Sequence, residues 1–153
     1  MAKHVGVKLP DELITVLKEG KSVGVLATFS EKGIPNTTPI QWIYPKGDES
    51  LLLSIHKEHL GYHNMAWQKK VAISFLDNNN IAYSILGRAG VVRAPSDVHP
   101  LINVVRIDII DIKSDKSMLV KIDSGVRWSY TSFEAEELSR SVINELKELS
   151  VSL

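Results

Sequence analysis

Residues 22–45, SVGVLATFSEKGIPNTTPIQWIYP, decide the fold class. SVGVLATF is rich in small and β-branched residues, and SEKG is turn chemistry. In the stretch that follows, Thr37, Pro39, Gln41 and Ile43 alternate with Thr38, Ile40, Trp42 and Tyr44. A period of two on either side of a polar turn predicts a β-hairpin. The pattern continues outward. KGDE turns into SLLLSIH, VAISFL resumes the sheet, and DNNN leads into IAYSILGRAGVV. LINVVRIDIIDIKS and SMLVKIDSGVRWSY, separated by the turn candidate SDK, read as two more strands. Six or seven short strands with few helical interruptions predict a mainly β protein, an antiparallel barrel or sandwich, and no internal repeat is visible.

Helical signals lie at the ends and at one point in the middle. In LPDELITVLKEGK, Pro10 and Asp11 suit a first turn, Leu13, Ile14 and Leu17 share a face, and Gly20 stops the helix. Thr131 and Glu134 have the spacing of a capping box for a last helix over 132–149, with a stripe of Leu138, Val142, Leu146 and Leu149. The middle candidate lies in SIHKEHLGYHNMAWQKK, residues 54–70, between two strands.

The chain has 153 residues, 44% of them hydrophobic, which suits one packed domain over 1–153. Eighteen basic residues balance eighteen acidic ones, so the basic excess of a nucleic-acid surface is missing. The absence of cysteine excludes disulfides, thiolate metal sites and thiol nucleophiles. No window approaches the ~18 apolar residues of a membrane span, and a cytoplasmic location is expected.

Residues 54–70 hold three of the five histidines, His56, His59 and His63. Spacings of three and four place imidazoles on one helix face, where they can ligate a metal or line a polar edge. His56 falls at the end of a strand, however, so the shared face fails there and no metal is expected. A helix starting within the stretch offers free backbone N–H groups to an anion. A solvated surface is the third reading. Elsewhere Arg88 suits a structural ion pair across a subunit interface. Asp108 and Asp111 have the odd spacing that puts side chains on opposite faces of a regular strand. No Ser-His-Asp arrangement is legible, and no catalytic residue is assigned.

The chain as a whole resembles the pyridoxamine 5′-phosphate oxidase-like FMN-binding split-barrel family, including its small FMN-binding members. The resemblance covers residues 9–130 and rests on AT-x4-G-x-P-x3-P from Ala27 to Pro39, the Lys-then-Asn segment after SLLLSIH, and GRA at Gly87 to Ala89. It implies a split barrel with flanking helices, FMN as cofactor, and a homodimer with FMN at the subunit interface. Carried over residue by residue, Thr38, Pro39, Ile40, Gln41 and Trp42 would line the flavin ring. Ser54, His56, Lys57, His59, His63 and Asn64 would surround the ribityl chain and phosphate, and Arg127 and Trp128 would reach the partner's flavin. Trp42 and Trp128 equally suit core packing, and GVRWSY equally suits a strand end closing its own barrel.

The sequence departs from the family at the phosphate. The family's basic residue three or four positions before the Asn is replaced by Gly61 and Leu60, and Lys57 lies seven before it, which implies an insertion. The Arg-x-His pair of a true pyridoxamine 5′-phosphate oxidase is also missing, since Arg127 is followed by Trp128 and Ser129. The resemblance therefore implies a flavin-dependent oxidoreductase or electron-transfer protein with a substrate not legible here. The alternative is a binding module on the same fold that holds a deazaflavin, haem or no cofactor.

Overall fold

A computed structural model describes residues 3–152. It contains eight strands, β1 (Lys3–Gly6), β2 (Gly24–Phe29), β3 (Pro35–Ile40), β4 (Ile43–Lys46), β5 (Ser50–His56), β6 (Lys70–Asp77), β7 (Ile81–Arg93) and β8 (Ile102–Ser114). Three helices accompany them, α1 (Asp11–Lys18), α2 (Leu60–Trp67) and α3 (Phe133–Ser150).

All strand pairings are antiparallel, in the order β3-β2-β6-β7-β8-β5-β4, with β1 added beside β8. β3 and β4 stand at opposite ends of that order yet are joined by Gln41 and Trp42 alone. The three Cα steps from Ile40 to Ile43 span at most about 11 Å. The sheet must therefore curl until its ends almost meet, which makes a split barrel. Residues 34–45, expected as one alternating strand after the turn, are two strands on the two sides of the split.

The barrel interior follows the alternation of the strands. Leu26, Leu51, Ile73, Phe75, Ile85 and Ile107 are each at most 1% exposed and form one cluster. Leu13 and Leu17 of α1 join that cluster, so α1 closes the barrel with the face read from its sequence. α3 covers a second, outer cluster, where Leu146 packs on Tyr44, Leu52 and Val104. Burying side chains such as Val142 and Leu146 contributes roughly 2 kcal/mol each. A buried carboxylate pins the same helix. Glu145, 4% exposed, accepts hydrogen bonds from the Ser96 hydroxyl, the Arg93 guanidinium and the Asp97 N–H. The N-cap of α3 is Ser132, whose side chain accepts from the Ala135 N–H, one residue beyond the expected Thr131.

Three further expectations change on folding. SMLVKIDSGVRWSY forms no strand, because the flank of β8 is already occupied by β5 along Ile102–Asp108 and by β1 along 112–114. Residues 115–132 instead form a strap held by side chains of the β6–β7 turn. The Ile122 and Gly125 N–H groups donate to the Oδ1 atoms of Asn80 and Asn78, at 3.0 and 2.8 Å. In that turn Asn79 and Asn80 adopt φ of 61° and 59°, a region asparagine tolerates well. Asp108 and Asp111 are also not on opposite faces. A bulge shifts the register so that Asp111 faces Leu86 and Asp108 faces Arg88, two residues apart on β7 and hence on one side. The two carboxylates have separate partners, His4 at 2.7 Å and Arg106 at 2.7 Å, and are no catalytic pair. At this bulge only glycine fits at 87, since a Cβ would lie 2.4 Å from Ile107 Cγ2.

α1 is tied to the start of the strap by Glu12, which accepts from the Tyr83 hydroxyl and pairs with Lys116 at 2.8 Å. The Lys116 ammonium, then the Tyr83 hydroxyl, hold the Glu12 carboxyl below the usual range. A group whose folded pKa is depressed contributes fully above its unfolded value, about 4.3, and loses that contribution as pH falls through the folded value. Lowering pH from about 5 to about 3 should therefore destabilise the native chain more than Glu12→Gln. The side chains are partly exposed, so the difference should be about 0.5 kcal/mol. Parallel urea-midpoint curves across that window would show that the pair contributes nothing.

Candidate functional site

β5 stays buried from Ser50 to Ile55 and then emerges at His56. The turn beyond it is held by local bonds. The His56 Nδ1 accepts from the Glu58 N–H at 3.1 Å, and the Lys57 N–H donates to the Leu101 carbonyl at 2.8 Å. α2 then begins with His59 as N-cap, its Nδ1 accepting from the Gly61 N–H at 3.0 Å. The Nδ1 of His59 is thereby committed as the acceptor of the cap. The amides of Leu60 and Tyr62 have no backbone acceptor among the described residues, the condition that favours an anion.

Asn64 anchors this helix to the sheet. It is 5% exposed and donates through Nδ2 to the Oγ1 of Thr28, itself 2% exposed, at 3.1 Å. Gly61 lies against Leu26, where an added Cβ would be 3.5 Å from Leu26 Cδ2 and 3.3 Å from His59 Nδ1. Leu26 pairs with Thr38, so the α2 end of the candidate site adjoins β3. A cleft of about 810 Å³ opens between α2 and the β2–β3 turn, lined by Ser30, Glu31, Lys32, Asn36, Leu60 and Asn64 among others, so it holds one carboxylate beside one ammonium. The turn residues in it were not singled out by sequence. Their signal was the SEKG turn itself, read only as a connection.

The expected ring-lining residues are spread over four environments. Pro39 and Gln41 are exposed, Thr38 is half-buried, and Ile40 is 6% exposed inside the barrel cluster. Trp42 and Ser54 lie beneath α3. Trp42 Nε1 donates to Ser139 Oγ at 3.0 Å, and the Ser54 N–H donates to the Trp42 carbonyl at 3.0 Å. The Ser54 hydroxyl is buried and has no hydrogen-bond partner. It is the one orphaned side-chain polar atom among the described residues.

Arg127 and Trp128 are elsewhere. They line a separate cleft of about 830 Å³ with Lys21, Ser22, Asp77 and Tyr130, and Trp128 Nε1 donates to the Lys21 carbonyl at 3.0 Å. Ser22 bonds to Asp77 at one end of β2, whereas Thr28 meets Asn64 at the other. Six residues of strand separate them by roughly 20 Å at about 3.3 Å per residue. Within one chain, Arg127 and Trp128 do not join the α2 site.

The pyridoxamine 5′-phosphate oxidase family model matches residues 9–121. No curated protein matches the chain in sequence. Among solved structures, a Lactobacillus delbrueckii protein described as a candidate pyridoxamine 5′-phosphate oxidase is similar at TM-score 0.62 and 22% identity, over 72% of this chain and 98% of that one. HupZ of Group A Streptococcus is similar at TM-score 0.61 and 17% identity, over 76% and 99%. An F420 reductase is similar at TM-score 0.54 and 18% identity, over 63% and 93%. At these identities the structures are alike in fold.

Among the described residues, no three His, Asp or Glu side chains are grouped to hold a metal ion. The Nδ1 atoms of His56 and His59 are both engaged with backbone N–H groups of their own turns. Zinc removal with a chelator should therefore leave the thermal midpoint unchanged. A fall in the midpoint that zinc restores would make the histidines ligands.

Proposed function

Because a chain matched from residue 9 to residue 121 by the model of the pyridoxamine 5′-phosphate oxidase family belongs to that family, we propose that it is an FMN-binding protein that serves as a flavin-dependent oxidoreductase or electron carrier. The observation that carries the reading is the N-terminus of α2, capped by His59, with the unbonded Leu60 and Tyr62 amides beside an 810 Å³ cleft. Such a helix start suits a phosphate.

The ring end would be formed by β3 and its link to β4. Pro39 and Gln41 are exposed there, Thr38 lies half-buried on the opposite face of β3, and the orphaned Ser54 hydroxyl suits a bound polar group. When bound, FMN supplies one- or two-electron transfer, and the chain supplies binding, orientation and exclusion of water. Purified protein should carry flavin absorption that survives desalting, and FMN should bind at least tenfold more tightly than riboflavin. Failure to take up added FMN would overturn this reading in favour of a module for another cofactor.

The same proposal includes a homodimer. Val25 and Phe29 of β2, Leu76 of β6 and Leu86 of β7 are 40–54% exposed on the outer face of adjacent strands, with half-buried Ala27 and Ala72 between them. Contiguous exposed apolar surface of this kind suits a second copy of the chain. Dimerisation on this face would allow Arg127 and Trp128, remote from their own α2, to serve the partner's site. Light scattering should give twice the chain mass, and Phe29→Asp should shift it to monomer. A native monomer that binds FMN normally would dismiss the shared site.

A further inference from the structure

We propose that the cavity between α2 and the inner faces of β7 and β8 is a binding site for a small apolar carboxylate, a single ring or branched chain that carries one negative charge. The site is separate from the cleft at the start of α2 and does not depend on the flavin reading. At about 3.6 residues per turn, Tyr62, Met65 and Ala66 stand on the side of α2 away from Leu60 and Asn64, and each set lines its own cavity. The helix packs on β2 and β3. It thereby leaves the β7 side of this end of the barrel without cover.

Val91 marks the gap. It pairs with Val105, a 1% exposed member of the barrel cluster, and so points inward, yet it is 57% exposed. With Ala89, Gly90 and Val105 it walls a cavity of about 270 Å³ against α2. Pockets for drug-sized ligands begin at ~300 Å³, so the occupant is a smaller molecule. The lining is apolar apart from two side-chain donors, the Tyr62 phenol and the Lys69 ammonium. The backbone of Lys69 is fixed beside the cavity, because its carbonyl accepts from the Ala89 N–H at 2.7 Å. Its side chain is exposed and makes no ion pair among the described residues. No carboxylate lines the cavity to compete for that ammonium. Such a pocket selects by polarity. An apolar body gains by leaving water, whereas a charge must stay beside a partner at the wet end, where Lys69 offers a charge-assisted hydrogen bond.

The test is a calorimetric titration of phenylacetate and of phenylacetamide, its uncharged counterpart, into the full native chain, Lys69→Gln, Ala66→Leu and Val91→Phe. The native chain should bind phenylacetate about tenfold more tightly than phenylacetamide. Lys69→Gln should bring the two probes to equal affinity. Ala66→Leu and Val91→Phe each fill the cavity from one wall and should weaken both probes about tenfold or more. A native chain that binds neither probe, a preference that survives Lys69→Gln, or filling variants that bind as the native chain does would overturn the proposal. So would light scattering in which Val91→Phe lowers the mass of the native assembly, since a second copy of the chain would then occupy the cavity. Lys69 is exposed and its replacement leaves the apolar walls intact, so Lys69→Gln decides the case if a filling variant does not fold.

Discussion

The two-residue link of Gln41 and Trp42 is the constraint on which the rest depends. It forces the ends of the sheet, β3 and β4, to within about 11 Å of one another and leaves a seam that β-pairing does not close. The main-chain groups of the link are handled locally, with the Trp42 carbonyl accepting from the Ser54 N–H. Near the seam the sheet still needs cover, and two helices provide it. α2 packs on β2 and β3 through Gly61, Leu26 and the Asn64–Thr28 bond, and α3 covers β4 and β5 through Leu146. The candidate site lies where the first of these helices starts. Its position follows from the topology rather than from any residue of unusual chemistry.

How much of this was legible depends on how local the cause is. The hairpin of β2 and β3, the helix within the histidine stretch and the stripe of α3 are written in neighbouring residues, and they form where the sequence puts them. The break at Gln41–Trp42 is not written there, because the alternation continues across it and only the far edge of the sheet reveals the change of partner. The missing last strand has the same kind of cause. SMLVKID has strand-like alternation, but pairing needs a free edge, and the short, fully exposed KHVG segment of β1 takes the end of β8. The bulge that brings Asp108 and Asp111 to one face is likewise a property of two strands together.

The histidines show the same division at the scale of single atoms. Spacing placed three imidazoles near one another, but it did not reveal that two of them would each engage an Nδ1 with a backbone N–H two residues on. Once those nitrogens are committed, metal ligation through them competes with the turn and the helix cap. Of the carried-over phosphate set, His59, His63 and Asn64 belong to the cap and body of α2, His56 to the exposed end of β5, Lys57 to the turn after it, and Ser54 to the buried part of β5.

Polar satisfaction under α3 is uneven, and that unevenness separates a fixed half of the helix from a loosely attached one. The C-terminal half of the helix is fixed by Glu145, whose carboxylate meets three donors, and by Lys46, which donates to the Leu149 carbonyl at 3.0 Å. Breaking that set would strand a buried charge, so this half is a permanent wall. The N-terminal half makes a weaker attachment. Trp42 meets it through a single hydrogen bond to Ser139, Phe133 is 70% exposed, and the Ser54 hydroxyl stays buried with no partner. An unpaired buried hydroxyl costs on the order of 1–3 kcal/mol, and a bound group that bonded to it would offset that cost. Pro39 and Gln41 are the exposed residues at the seam that the two-residue link creates, and the hydroxyl that lacks a partner lies one strand away from them, buried on β5.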